Sequence, residues 1–211
     1  TWEQTREYDL GFDLGIFNNR INLGYDFYSR NTKSLLYSVD VAQESGYSTF
    51  MGNIGELKFW GHEITLNTQN LVGEFKWNTD FNISFSDNKV ISLTGNIDRI
   101  YGDGTITKVG QRIGQFYGMV WDGVYDNQAE FDASPKAVAS EVGTIKFKDV
   151  NGDGEVTNGG DDDDRAVIGD PSPRAIYGIS NSFSYKNFDL SVIMAGSYGN
   201  DVANPLEMGL T

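Results

Sequence analysis

Hydrophobic and polar residues alternate with period two along several stretches of the chain. Tyr8, Leu10, Phe12, Leu14 and Ile16 fall on one side, and Glu7, Asp9, Gly11, Asp13 and Gly15 on the other. Strict alternation over about ten residues predicts a strand with one apolar face, long enough to cross a bilayer. Asn18-Asn19 follows, a pair that tolerates left-handed backbone and suits a tight turn. The phase then restarts with Ile21, Leu23, Tyr25 and Phe27 against Asn22, Gly24 and Asp26. This segment reads as a hairpin with one greasy face.

Two more hairpins show the same pattern. Ile64 and Leu66 alternate with Glu63, Thr65 and Asn67, and a turn around Leu71-Val72-Gly73 leads to Phe75, Trp77, Phe81, Ile83 and Phe85. Tyr177, Ile179, Phe183 and Tyr185 precede a turn at Lys186-Asn187, after which Phe188, Leu190, Val192 and Met194 share a face. The expected hairpins cover about 3–37, 56–92 and 174–198, joined by long connections over about 38–55 and 94–173. Short turns at one end and long loops at the other are the asymmetry of outer-membrane barrels. A soluble sandwich spaces its turns more evenly.

The polar positions sharpen this choice. They are mostly Gly, Asn, Ser, Thr and Asp, which suit a crowded hydrated lumen, while the apolar positions are strongly aromatic, which suits lipid interfaces. The expected fold is therefore all-β: an antiparallel up-and-down transmembrane β-barrel segment of about six strands with long extracellular loops.

Composition supports this reading and removes others. The chain carries 25 Gly, 11 Tyr, 13 Phe and 4 Trp, with 4 Pro and no Cys. Without Cys there is no disulfide framework, thiolate metal site or Cys nucleophile. The net charge of −14 argues against a phosphate-tracking nucleic-acid surface. No stretch approaches the roughly 20 apolar residues of a transmembrane helix, a test to which β-strands are blind.

Longer blocks carry a family resemblance. NNRINLGYDFYSRNTKSLLY, NIGELKFWGHEITLNTQN and GQRIGQFYGMVWDGVYDNQAEF resemble the SusC/RagA family of TonB-linked outer-membrane proteins. So do IKFKDVNGDGEV and DRAVIGDPSPRAIYGISNSFSYKNFDLSVIMAGSYGNDVAN, and the blocks run in family order from Trp2 to Asn204. The resemblance implies a barrel of about 22 strands plugged by a separate N-terminal domain; six strands cannot close such a barrel, so this chain is expected to be part of a larger closed one. It also implies localisation in the cell outer membrane, in contact with lipid, and TonB-driven import of a glycan or peptide nutrient. A SusD-like surface lipoprotein is the implied partner over the mouth. The signal peptide, plug and TonB-contacting segment are expected upstream of this chain and the last strands downstream.

The strongest local motif is Asp149-Val150-Asn151-Gly152-Asp153-Gly154. Calcium loops place oxygen ligands at positions 1, 3 and 5, Gly at 6, a carbonyl at 7 and a carboxylate at 12. Asp149, Asn151 and Asp153, Gly154 and the Glu155 carbonyl match, but position 12 is Gly160. The family resemblance implies an earlier closing Asp-Arg, so this loop is longer by a few residues, and Asp161 or Asp164 is the candidate closing ligand. The competing reading is a tight turn stabilised by its own Asp and Asn side chains. Calcium is the one cofactor this chain suggests.

Other candidates are sparser. The aromatic, Gly-rich run Phe116–Tyr125 offers Tyr117, Trp121, Asp122 and Tyr125 as contacts to a sugar, against the alternative that these rings pack the long loop on itself. His62, the single histidine, has no partner for a zinc pair or a His-based triad, and reads as an ordinary lumen or surface residue. No carboxylate pair stands out from the acidic background, so no enzyme is expected. The rivals to a transporter segment are a soluble β-rich carbohydrate-binding module with a calcium-stiffened loop, and a surface glycan hydrolase with a carboxylate pair across a cleft.

Overall fold

The computed structural model describes residues 2–40, 49–53, 55–160 and 162–204. Its strands are β1 (Gln4–Ile16), β2 (Ile21–Lys33), β3 (Leu36–Asp40), β4 (Thr49–Asn53), β5 (Gly55–Val72), β6 (Phe75–Leu93), β7 (Arg99–Gly102), β8 (Thr105–Lys108), β9 (Gln115–Met119) and β10 (Trp121–Val124). Helix α1 (Gln128–Ala133) comes next, then β11 (Ile145–Phe147), β12 (Arg165–Gly169), β13 (Ala175–Tyr185) and β14 (Phe188–Tyr198).

The long strands form one six-stranded sheet in the order β1-β2-β5-β6-β13-β14. Every neighbouring pair is antiparallel. The expected hairpins are thus joined side by side into a single wall, with β1 and β14 as its edges. The first hairpin turns where expected: Phe17, Asn18 and Asn19 hold φ of 52°, 56° and 62°, and Arg20 N–H donates to Phe17 O at 3.2 Å. Asn tolerates this left-handed region because its short side chain bonds locally. At the start of β5, Gly55 takes φ 146° against β6, where a Cβ would collide with the Ser92 carbonyl. Next to it a bulge shifts the register between Glu56 and Leu57.

Two compact units emerge. The first comprises Thr1–Ile100, Thr107–Ile113 and Ser172–Thr211, the second Tyr101–Ile106 and Gly114–Pro171. In the first, the segment 107–113 lies along the far end of β6. Val90 N–H donates to Gln111 O at 2.9 Å and Gly110 N–H to Val90 O at 2.8 Å. Leu57 and Val90 are fully buried there. Arg112 fastens the segment, its Nε to Asp87 at 2.7 Å and two further donors to the Ser86 and Ser172 carbonyls.

In the second unit β9 pairs with both β8 and β12, and β10 pairs with β11. Tyr125, Ile106 and Val156 are its buried apolar residues. Helix α1 is capped by Asn127, whose Oδ1 accepts from Glu130 N–H at 3.0 Å, while Glu130 Oε2 accepts from Asp126 N–H at 3.1 Å. This reciprocal arrangement satisfies N–H groups that a helix start leaves unpaired.

The connections differ from their sequence reading. The stretch 38–55 carries part of the β3–β4 ribbon, so β2 ends at Lys33 rather than near 37; residues 41–48 and 54 lie outside the described residues. The stretch 94–173 is a folded region with its own short strands, helix and core.

Candidate functional site

The sheet has two chemically distinct faces, and cross-strand register defines them row by row. One row reads Leu14, Leu23, Leu66, Phe81, Ile179 and Met194; the next reads Phe12, Tyr25, Ile64, Ile83, Tyr177 and Gly196. Leu10, Phe27, His62, Phe85, Ala175 and Tyr198 follow. Toward the short turns lie Leu71, Trp77, Phe183 and Leu190, then Phe75, Tyr185 and Phe188. From Phe75 to Phe85 the strand rises ~33 Å at about 3.3 Å per residue, or ~25 Å along the membrane normal at the tilt of such barrels. That is the height of the apolar band of an outer-membrane barrel.

The opposite face carries Asp13, Gly24, Thr65, Asn82 and Gly178 in one row and Gly15, Asn22, Asn67, Asp80 and Ser180 in the next. Asn67 Nδ2 donates to Asp80 Oδ1 at 2.7 Å within that row. Small polar residues thus line one side across five adjacent strands.

Two features of the apolar face escaped the alternation. His62 shares the apolar face with Tyr25 and Phe27, not the face of small polar residues: its Nδ1 sits 2.8 Å from the Tyr25 hydroxyl and its ring 5.1 Å from Phe27. Paired with tyrosine and packed among rings, the imidazole is tolerable on a greasy surface. Secondly, Thr68, Asn70, Thr79 and Asn181 form a polar chain between the aromatic rows. Asn70 Nδ2 donates to Thr79 Oγ1 at 2.8 Å, and Trp77 Nε1 and Thr79 Oγ1 donate to Asn181 Oδ1 at 2.9 and 2.7 Å. Each group satisfies its neighbour on an otherwise apolar face.

The acidic loop belongs to the second unit. Asp149 Oδ1 accepts from Gly152 N–H at 2.6 Å and Oδ2 from Gly154 N–H at 2.9 Å. Asn151 Oδ1 accepts from Asp153 N–H at 3.0 Å, and Asp153 Oδ1 from Glu155 N–H at 2.8 Å. Asp164, fully buried, closes the loop from a distance. Its Oδ1 accepts from Val150 N–H at 2.7 Å and Asn151 N–H at 3.3 Å; its Oδ2 accepts from Thr157 N–H at 2.7 Å and the Thr157 hydroxyl at 3.3 Å. Burial pushes its carboxyl up, but the hydrogen bonds from Thr157, Val150 and Asn151 outweigh burial and hold it below the usual carboxylate value. Among the described residues no three acidic or His side chains are gathered as a metal-binding group, and Asp161 lies outside the described residues.

Asp163, which the sequence did not single out, anchors a second cluster. Its Oδ2 accepts from Arg165 Nε at 2.5 Å and Gly159 N–H at 3.0 Å, and its Oδ1 from the Tyr117 hydroxyl at 3.3 Å. The Arg165 guanidinium lies 5.1 Å from the Tyr117 ring centre and 5.4 Å from that of Tyr101. Burial, with Asp163 beside it, pushes the Tyr117 phenol up to about 12. The only sequence signal for this cluster was the Asp-Arg step ending the acidic run.

The aromatic sugar candidates separate. Tyr125 is 1% exposed, its hydroxyl donating to Pro135 O at 2.8 Å and its ring meeting Phe131 edge-on at 5.1 Å. It is a core residue with no face to offer a ligand, which corrects the sugar-contact reading for that position. Tyr117 is committed to Arg165 and Asp163. Asp122 pairs with Lys146 at 3.4 Å. Trp121 is 69% exposed and alone of the four presents an open ring.

No family model matches the chain. A TonB-dependent receptor of Formosa agariphila is 34% identical over 99% of this chain and 22% of its own length. The TonB-dependent receptor SusC of Bacteroides thetaiotaomicron is 31% identical over 95% of this chain and 20% of its own. The chain is a homologue of a segment of TonB-dependent receptors. It spans about a fifth of the length of the curated relatives it matches. Among solved structures, the RagAB peptide transporter aligns with a TM-score of 0.74 at 22% identity, over 92% of this chain and 20% of that one. The RagAB importer in its open-open state aligns equally well, with a TM-score of 0.74 at 21% identity. The six-stranded sheet is not closed on itself, which is consistent with part of a larger barrel. The SusC/RagA resemblance of the sequence blocks is thereby established.

Proposed function

We propose that this segment forms wall and loops of an outer-membrane importer that takes up an oligosaccharide or peptide nutrient with energy delivered by TonB. The observation that carries the reading is the sheet itself, with one apolar face about 25 Å tall and one face of small polar residues. The apolar face meets lipid, and the polar face lines the lumen. The short-turn end faces the periplasm and the long connections face outside. TonB engages the receptor through a plug outside this segment, and a SusD-like lipoprotein covers the outer mouth.

Nothing in the described residues calls for catalysis; the sequence relatives are TonB-dependent receptors and the structural neighbour RagAB is a peptide transporter. We read the segment as non-enzymatic. Exposed Trp121 supports a stacking contact to a sugar ring, while the structurally similar RagAB is a peptide transporter. Uptake assays with fluorescent oligosaccharides and peptides, in cells expressing the full-length receptor, test the proposal. Import that survives deletion of the TonB-contacting segment would overturn it; Trp121→Ala slowing only oligosaccharide uptake would assign the substrate class.

Calcium at the acidic loop remains part of this proposal. It rests on the spacing of Asp149, Asn151 and Asp153, whose side-chain oxygens keep lone pairs beyond those accepting loop N–H groups. Asp164 is left out of this proposed ligand set, because each of its oxygens already accepts two hydrogen bonds, whereas each Asp149 oxygen accepts one.

A further inference from the structure

Above the apolar band, at the long-connection end, a row of cations crosses the lipid-facing side. Arg6, Asn31, Lys58 and Lys89 are register partners on β1, β2, β5 and β6. Arg6, Lys58 and Lys89 are exposed. The row beneath holds Tyr8, Ser29, Trp60 and Asp87, and Lys58 Nζ lies 5.7 Å from the Trp60 ring centre.

Lys58 and Lys89 are direct cross-strand partners, and like charges so placed repel unless an anion lies between them. The carboxylates closest in register on this face are already committed. Glu56 accepts from Asn31 Nδ2 at 2.7 Å and pairs with Lys33 at 3.7 Å; Asp87 pairs with Arg112 at 2.7 Å. Among the described residues, none of Arg6, Lys58 and Lys89 has an ion-pair partner. In a chain with 30 acidic residues against 16 basic ones, three cations in a single row without an ion-pair partner among the described residues offer a site to an external anion.

We propose that this row binds the phosphorylated headgroup of an outer-leaflet lipid, one phosphate between Lys58 and Lys89 and a second anionic group at Arg6. Arg6 stands two strand spacings from Lys58, ~10 Å, which suits a headgroup with two separated charges. Tyr8 and Trp60 sit just below, at the depth where aromatic residues meet the headgroup boundary. The inference rests on the outer-membrane orientation proposed above.

The test uses the full-length receptor in phosphatidylcholine nanodiscs doped with bisphosphorylated lipid A or its dephosphorylated form, with retained lipid read by native mass spectrometry. The wild type should retain the bisphosphorylated lipid preferentially. Each cation near an anionic surface contributes about fivefold, so Arg6→Gln/Lys58→Gln/Lys89→Gln should lower that preference on the order of a hundredfold. Lys58→Arg/Lys89→Arg should keep it. Lys89→Gln alone, leaving Lys58 over Trp60, should shift it in the same direction should the triple variant fail to insert. An inserted triple variant with undiminished preference overturns the proposal, as does full displacement of the lipid by millimolar inorganic phosphate. Fractionation of the wild type away from the outer membrane would instead remove the orientation on which the inference stands.

Discussion

The ring of Tyr28 on β2 lies over Gly61 on β5, its directly opposed partner. A Cβ on Gly61 would come within 2.6 Å of Tyr28 Cε1 and equally close to the Phe85 carbonyl. The backbone contact cannot be relieved by a rotamer change. Gly61→Ala should therefore destabilise the barrel by about 1–3 kcal/mol, as overpacking does. Gly178→Ala, where only the Asn82 side chain lies near at 3.2 Å, should cost less. Urea unfolding of the full-length receptor in liposomes compares the two.

The assignment of faces is tested at adjacent residues. Leu23 belongs to the apolar row of Leu14, Leu66 and Phe81, whereas Asn22 pairs with Gly15 and Asn67 on the other side. Leu23→Arg should cost about 2–4 kcal/mol at the bilayer midplane. Asn22→Arg should leave stability almost unchanged and alter the lumen instead. Equal penalties in liposome unfolding would show that the faces are misassigned.

Asp164 makes the acidic loop sensitive to acid. Its folded pKa lies below the ordinary value, so its stabilisation is complete above that value and disappears as pH falls through the folded pKa. Hydrogen exchange over 149–165 should be slow at neutral pH and rise in strong acid. Asp164→Ala leaves the N–H groups of Val150, Asn151 and Thr157 without this acceptor. Each such loss costs about 1–3 kcal/mol, so exchange should be fast at all pH values while the barrel strands stay protected.

Calcium binding at Asp149, Asn151 and Asp153 should be weak, with Kd on the order of 10⁻⁴ to 10⁻³ M, because position 12 of the loop is Gly160 and the closing carboxylate is displaced. Terbium luminescence on the full-length receptor should be lost in Asp149→Ala and Asp153→Ala. Absence of signal at millimolar metal would leave the loop as a turn held by its own carboxylates.

The period-two alternation determined the face of each long strand, because side-chain direction in a strand depends only on local backbone geometry. It read Phe12, Leu23 and Phe81 together on one side and Asp13, Asn22 and Asn82 on the other, and the register agrees. Asn18-Asn19 was legible as a turn for the same local reason. Helix α1 was missed although Asn127 and Glu130 stood at capping-box spacing, since six residues carry no periodicity. Sequence could not say that β13 pairs with β6 after the long excursion, nor that Thr79 and Asn181 would meet on the apolar face. It likewise could not show that Asp164 accepts from Val150, Asn151 and Thr157, or bury Tyr125 rather than expose it. Those outcomes depend on groups far apart in the chain, Val150 with Asp164 and Thr79 with Asn181, and only the tertiary structure brings such donors and acceptors within hydrogen-bonding distance.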